Sequence, residues 1–195
     1  IERPIRVAMV GQKGYPPIHG GIEKHVAELA SRLGSSGFAV DIYSRPHYSR
    51  QDGPTALPGV NVRRMNSIPT KHLDAISHTL LATGDVLFRD VDIVHYHALG
   101  PGLLAGVPRF LTRARTVVTV HGLDWQRDKW GWFARRVLQV GETASVAFPD
   151  RTIVVSRALR QHFVDQHKAP TTYIPNGIVP PVYRDRELLP GIGVS

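Results

Sequence analysis

Short apolar runs rich in β-branched residues alternate along the chain with longer segments of helical period. Residues 5–10 (IRVAMV) form a compact apolar run closed by glycine, the pattern of a strand buried on both faces of a parallel sheet. After a Gly- and Pro-rich loop over residues 11–19, the period changes. Ile22, Val26, Leu29, Ala30 and Leu33 recur at helical spacing, and Gly34 and Gly37 close the helix. Residues 38–43 (FAVDIY) and 60–65 read as the next two strands, joined by a loop that holds His47 and Tyr48. Residues 73–88 predict a helix with Leu73, Ile76, Leu80 and Leu87 on one face, interrupted by Gly84. Strands follow at 91–96 (VDIVHY), 116–120 (TVVTV), 152–155 and 172–174, with helices expected over 99–111, 131–148 and 157–167. Strand and helix alternating over the whole length imply βαβ crossovers and a doubly wound, Rossmann-like α/β fold with one parallel sheet.

The 195 residues suit one domain, expected over 1–178. The stretch 179–195 carries Pro180, Pro181 and Pro190 without a clean period and reads as a connector to a further domain. No apolar run reaches the ~20 residues that cross a bilayer. The first strand starts too early to leave room for a signal peptide, so a cytoplasmic location is expected. The absence of cysteine excludes disulfides and thiolate metal sites.

Charge changes the picture in one respect. The formal charge is +8, with 11 Lys/Arg against 9 Asp/Glu in residues 1–98 and 13 against 7 in residues 99–195. The excess concentrates between Arg109 and Arg136. That patch reads either as a solvated basic face or as a site for an anionic membrane surface. No nucleic-acid partner is expected.

An open parallel sheet binds ligands at the carboxyl ends of its strands, and the chemistry-bearing residues fall there. Gly11, Gly14, Gly20 and Gly21 lie between the first strand and first helix, where glycine lets backbone approach a ligand and a helix start favours phosphate. The spacing matches neither dinucleotide nor P-loop fingerprint, so a plain tight turn explains it equally well. His121-Gly122 ends the TVVTV strand, where an imidazole can bond a polar ligand or a neighbouring carbonyl. His95 and His97 end the preceding strand on one side of it, but no third residue at metal-ligand spacing completes a site, and no metal is expected. Asp124, Trp125, Arg127, Asp128 and Lys129 form a polar loop after His121. Ser156 reads as a helix cap, Asn176-Gly177 as a turn, and Glu142 as a solvated helical glutamate.

Taken in order, GQKGYPPIHGGIEKHVAELASRL, DIVHYHA, TVVTVHGLDW, RTIVVSRAL and YIPNGI resemble the N-terminal, acceptor-side domain of glycosyltransferase family 4. The resemblance runs from Ile5 to about Ile178. It implies a GT-B architecture of two Rossmann-like domains facing across a cleft, and sugar transfer with retention from a nucleotide sugar to a glycan or lipid-linked acceptor. By this resemblance Gly20 and Gly21 approach the donor diphosphate and sugar, and His121 is the catalytic and donor-contacting histidine. His97, Asp124, Arg127 and Glu142 are expected on the acceptor side, and Ser156 and Asn176 near the cleft and hinge. The resemblance requires no cofactor and no metal beyond the nucleotide-sugar co-substrate. It allows peripheral attachment at the inner membrane face. The family's E-x7-E element is expected beyond residue 195, and a domain without it is expected to turn over little. The alternative is an acceptor- or partner-binding module with no activity of its own.

Overall fold

The computed structural model describes residues 3–18, 20–49, 57–70, 73–128 and 130–177. Lys129 and the expected connector over 179–195 lie outside the described residues. Seven strands form the sheet: β1 Arg6–Val10, β2 Ala39–Ser44, β3 Val60–Arg64, β4 Ile93–His97, β5 Arg115–Val120, β6 Arg151–Val154 and β7 Thr172–Tyr173. Among the described residues six α-helices connect them: α1 Gly21–Ser35, α2 Leu73–Leu87, α3 Leu99–Gly102, α4 Gly106–Leu111, α5 Trp132–Ala147 and α6 Arg157–His167. Every strand pair is parallel and the spatial order is β3-β2-β1-β4-β5-β6-β7. The order reverses between β1 and β4, the switch point at which such sheets open a crevice.

Alternation along the strands divides the interior in two. Val7 and Met9 of β1 pack with Val40 and Ile42 of β2 and with Val26 and Ala30 of α1. Ala8 and Val10 point the other way, into a cluster with Tyr96, Val118 and Val120, Ala82 and Val86 of α2, Leu99 of α3 and Phe163 of α6. Helix α1 stops as its glycines predict. Gly37 takes φ 89°, Gly37 N–H donates to Gly34 O and Phe38 N–H to Leu33 O, the paired bonds of a left-handed helix end.

Two expectations need correction. The helix expected over 99–111 is two short ones, α3 and α4, separated at 103–105. Pro101 and Pro108 lack N–H groups, so the continuous ladder cannot form. In α2 the apolar stripe faces outward: Leu73, Ile76 and Leu80 are exposed, while Asp74, His78, Thr79, Ala82, Thr83 and Val86 are buried. Some polar groups of that inner face find partners in the fold. Tyr96 and Thr83 share a hydroxyl hydrogen bond of 2.9 Å, and Asp74 meets Arg45.

Candidate active site

At the switch point the ends of β1, β4 and β5 and the start of α1 come together. Gly11, with φ 116°, follows β1, and a Cβ there would lie 2.4 Å from the His97 carbonyl oxygen. A Cβ on Gly14 would lie 2.4 Å from the Tyr48 carbonyl oxygen, so both glycines serve close packing. Gly20 precedes α1 with φ 89° and ψ 163°, a conformation that almost only glycine adopts. Gly21 is different: it is exposed, and nothing lies within 4 Å of a Cβ built on it. Glu23 stands in the first turn of α1 and accepts the Lys13 N–H at 3.2 Å. The α1 start therefore holds a carboxylate of its own beside the open backbone at Gly21.

Four histidines converge below that helix start. His95 and His97 leave β4 on one side, His121 follows β5, and His25 descends from α1. His97 Nδ1 lies 3.3 Å from His121 Nε2, and the two rings stack with centroids 5.6 Å apart. His25 meets the His121 ring edge to face at 4.9 Å and the His97 ring at 5.7 Å. His95 Nε2 is 2.7 Å from Thr119 Oγ1. Burial lowers the pKa of all four. His121 falls to about 4, with His25 adding to the effect, and His95 to about 3. His97 falls well below its ordinary value, and His25 is lowered although an Asn176 hydrogen bond opposes the shift. At neutral pH the cluster is uncharged and offers hydrogen bonds without a net charge.

Ala98, directly after His97, has φ 79° and ψ 164°, the same glycine-like conformation as Gly20. Its N–H donates to Thr119 O at 2.9 Å, which holds the β4 end against β5. Backbone strain of this kind costs on the order of 1–3 kcal/mol and concentrates at functional sites.

A second polar cluster lies at the end of β2. Arg45, buried, donates to Asp74 Oδ2 at 2.5 Å, Ser67 Oγ donates to Asp74 Oδ1 at 2.5 Å, and His47 Nε2 lies 3.2 Å from the same oxygen. Burial alone would raise the Asp74 pKa, but the Ser67 and Arg45 contacts outweigh it and hold it low. His78 is fully buried beside this cluster, its pKa lowered to about 4 by burial and by the Arg45 charge. Neither of its ring nitrogens has a partner among the described residues.

The sequence-derived site residues separate accordingly. Gly20 and Gly21 stand at the start of α1, and His25, one helical turn on, brings its ring against that of His121. His97, expected toward an acceptor, is fully buried behind His121 and supports that ring instead. Glu142 is not a solvated glutamate. It is buried, with Oε2 accepting from Trp125 Nε1 at 2.5 Å and Oε1 lying 2.7 Å from Nε2 of both His162 and His167. Burial pushes its pKa up, and the His167, His162 and Trp125 hydrogen bonds bring it below the ordinary value. Asp124 and Arg127 pair with each other at 3.3 Å on the loop after His121, with Arg127 exposed. Ser156 caps α6, accepting the Leu159 N–H at 3.1 Å. No spacing in the sequence completes a site with His97, but the fold brings ligand atoms of His25, His97 and His121 within 4.8 Å of one another. His25 itself went unnoticed in sequence, although it sits one helical turn after Gly21, on a helix whose start forms the ligand edge.

The family profile of Glycosyltransferase Family 4 matches residues 19–180. The chain belongs to that family. Its fold is that of the Rossmann-like domains of GT-B enzymes. No curated protein matches the chain. Among solved structures, sucrose-phosphate synthase from Thermosynechococcus elongatus is similar over 91% of this chain and 49% of its own, with TM-score 0.69 and 18% identity. The catalytic domain of starch synthase IV from Arabidopsis thaliana, bound to ADP and acarbose, is similar over 91% and 52%, with TM-score 0.62 and 15% identity. Anabaena HepE in complex with UDP and glucose is similar over 89% and 45%, with TM-score 0.60 and 15% identity. The chain spans about half the length of these structures.

Proposed function

We propose that this chain is the N-terminal, acceptor-side half of a retaining glycosyltransferase that moves a hexosyl group from a nucleotide sugar to a hydroxyl of a glycan or lipid-linked acceptor. The observation that carries the reading is that His25, one helical turn after the open Gly21 backbone, packs its ring against His121 at the end of β5. Relatives in fold bound to ADP or to UDP and glucose support a nucleotide-sugar donor.

In this reading the bond between the anomeric carbon and the diphosphate oxygen breaks, and its electron pair leaves with the diphosphate. The acceptor oxygen bonds to the same face of the sugar, and its proton passes to the leaving phosphate oxygen. Backbone N–H groups at the start of α1 face the developing negative charge, where fixed dipoles lower the barrier most. His121 is neutral near pH 7, with its pKa at about 4. Its role is therefore to hydrogen-bond a donor-sugar hydroxyl and hold the ring in line, not to deliver a proton from an imidazolium. Asp124 and Arg127, on the turn after His121, are assigned to the acceptor. The reaction needs no metal or organic cofactor from this chain. An anionic membrane surface is the proposed platform for a lipid-linked acceptor. No helix among the described residues is long and apolar enough to cross a membrane.

The test is transfer by the full-length enzyme carrying His121→Ala. Loss of a ring that positions the donor is expected to lower kcat/KM on the order of a hundredfold. A normal rate overturns the role given to His121. The 195-residue chain alone, titrated with nucleotide sugars, is expected to bind weakly and not turn over. Tight binding with turnover would refute the half-site reading, and acceptor binding without any donor dependence in the full-length protein would favour a pure binding module.

A further inference from the structure

The Glu142 cluster plays no part in the proposed transfer, yet its composition is specific. Glu142 comes from α5, and His162 and His167 both come from α6. Two imidazole nitrogens and one carboxylate oxygen lie within 4.8 Å of one another, and each nitrogen is 2.7 Å from Glu142 Oε1. We infer that these three side chains form a binding site for a divalent transition ion of the zinc type, clamping α5 to α6. This inference is independent of the sugar-transfer reading.

Four features carry it. The donor set of two histidines and one glutamate suits Zn2+ and its first-row neighbours, and not Mg2+ or Ca2+, which prefer all-oxygen sites. All three donor atoms lie within 4.8 Å of one another, and each nitrogen, now 2.7 Å from Glu142 Oε1, needs to withdraw by only about 0.7 Å to reach the ~3.4 Å edge of a tetrahedron with bonds of about 2.1 Å. Glu142 has an outer partner: Trp125 Nε1 holds Oε2 at 2.5 Å and leaves Oε1 directed at the histidines, as second-shell groups orient metal ligands. Finally, Glu142 is buried while both histidines stay partly exposed, which leaves an entry path and a fourth position for water. With the metal absent, both Nε2 atoms crowd one carboxylate oxygen. With the metal bound, each ring would carry its proton on Nδ1 and present the Nε2 lone pair.

The His25, His97 and His121 group also lies within 4.8 Å. It is the weaker candidate, because a doubly charged ion there would meet three neutral rings and no carboxylate, and uncompensated charge in a buried site is costly. In the Glu142 site an ion would also fix Trp125, and with it the turn that follows His121.

The test is titration of the purified chain with Co2+ at neutral pH, read by the visible bands of tetrahedral cobalt, followed by displacement with Zn2+. One equivalent per chain, with raised thermal stability, is expected. Glu142→Gln and the double change His162→Ala with His167→Ala should each weaken binding at least tenfold, while His25→Ala leaves it intact. His162→Cys should retain binding and add a thiolate-to-cobalt charge-transfer band, which reports on the site even where the alanine variants fold poorly. Absence of stoichiometric Co2+ binding, a His162→Cys protein that binds without that band, or loss of binding on His25→Ala overturns the assignment.

Discussion

His97 Nδ1 and His121 Nε2 lie 3.3 Å apart, tying the end of β4 to the residue that follows β5. Both rings are held neutral by burial, so one nitrogen donates and the other accepts. The contact uses one ring nitrogen of His121 and leaves Nδ1 for another partner. It also sets the ring plane, which stacks on His97 at 27°.

Fully buried against His121, His97 is expected to act as a positioning residue. His97→Gln in the full-length enzyme should lower kcat on the order of tenfold while changing KM for the donor little, because a misplaced group costs more in the transition state than in the ground state. His97→Asn, whose side-chain amide falls near the Nδ1 position, should recover part of the loss. An unchanged kcat in His97→Gln removes the positioning role.

Two positions preceding helices share one strained conformation with opposite residues in place. Ala98, at φ 79°, should gain from Ala98→Gly by about 1 kcal/mol, because relief of the strain exceeds the backbone entropy that glycine adds. Gly20→Ala should lose a similar amount or more, since its Cβ would also lie 2.6 Å from Glu23 Oε2. Gly21→Ala separates folding from binding. Its Cβ meets nothing, so stability should hold, while donor KM rises because the methyl occupies the space left beside the backbone. Urea unfolding of the three variants beside steady-state kinetics decides the set. Equal donor KM in Gly21→Ala sinks the donor role of that glycine.

The strands and their order of chemistry were legible because buried parallel strands declare themselves as short apolar runs, and their carboxyl ends follow from the runs. The face of α2 was not legible. A stripe of Leu73, Ile76 and Leu80 reads as a core face by period alone, yet the fold buries Asp74 and His78, whose surroundings include Arg45 from a distant segment. Glu142 misled for the same reason. A lone helical glutamate is solvated by default, and its three partners lie 17, 20 and 25 residues away. Pairings between distant segments leave no local period to read.

The buried histidines predict an acid-sensitive fold. His78 and His95 have pKa values of about 4 and about 3 in the folded chain against an ordinary 6.5. Between those values the unfolded chain binds protons that the folded chain does not, so stability falls as pH drops below about 6.5, by about 1.4 kcal/mol per unit for each histidine. The lowered carboxylates Asp74 and Glu142 act in the same direction but lower, losing their contribution only as pH falls through their folded values. Urea unfolding from about pH 8 to about pH 5 should show the decline beginning above the carboxylate range. His78→Gln should flatten the slope between about pH 6.5 and 5, and a pH-independent midpoint in the parent chain contradicts the assignment.

The proposed membrane surface rests on aromatics as much as on charge. Within the basic stretch, Arg109 and Arg115 pair with Asp150, Arg127 with Asp124, and Arg135 with Asp128, so much of its charge is locally compensated. Trp132 and Phe133, however, are each 73% exposed at the start of α5, and Trp132, Arg136 and Val140 follow at intervals of one turn. Such a stripe suits the interface of a bilayer, where aromatic rings enter the headgroup layer and arginine meets lipid phosphate. The chain should pellet with vesicles containing anionic phosphatidylglycerol at low salt and much less with phosphatidylcholine alone. Burying one large aromatic contributes about 1.5–3 kcal/mol, so Trp132→Ala or Phe133→Ala should weaken vesicle binding on the order of tenfold, whereas charge alone would leave it nearly unchanged. Pelleting that persists in the Trp132→Ala, Phe133→Ala double variant shows that charge suffices, and no pelleting of the parent chain removes the membrane surface from the proposed function.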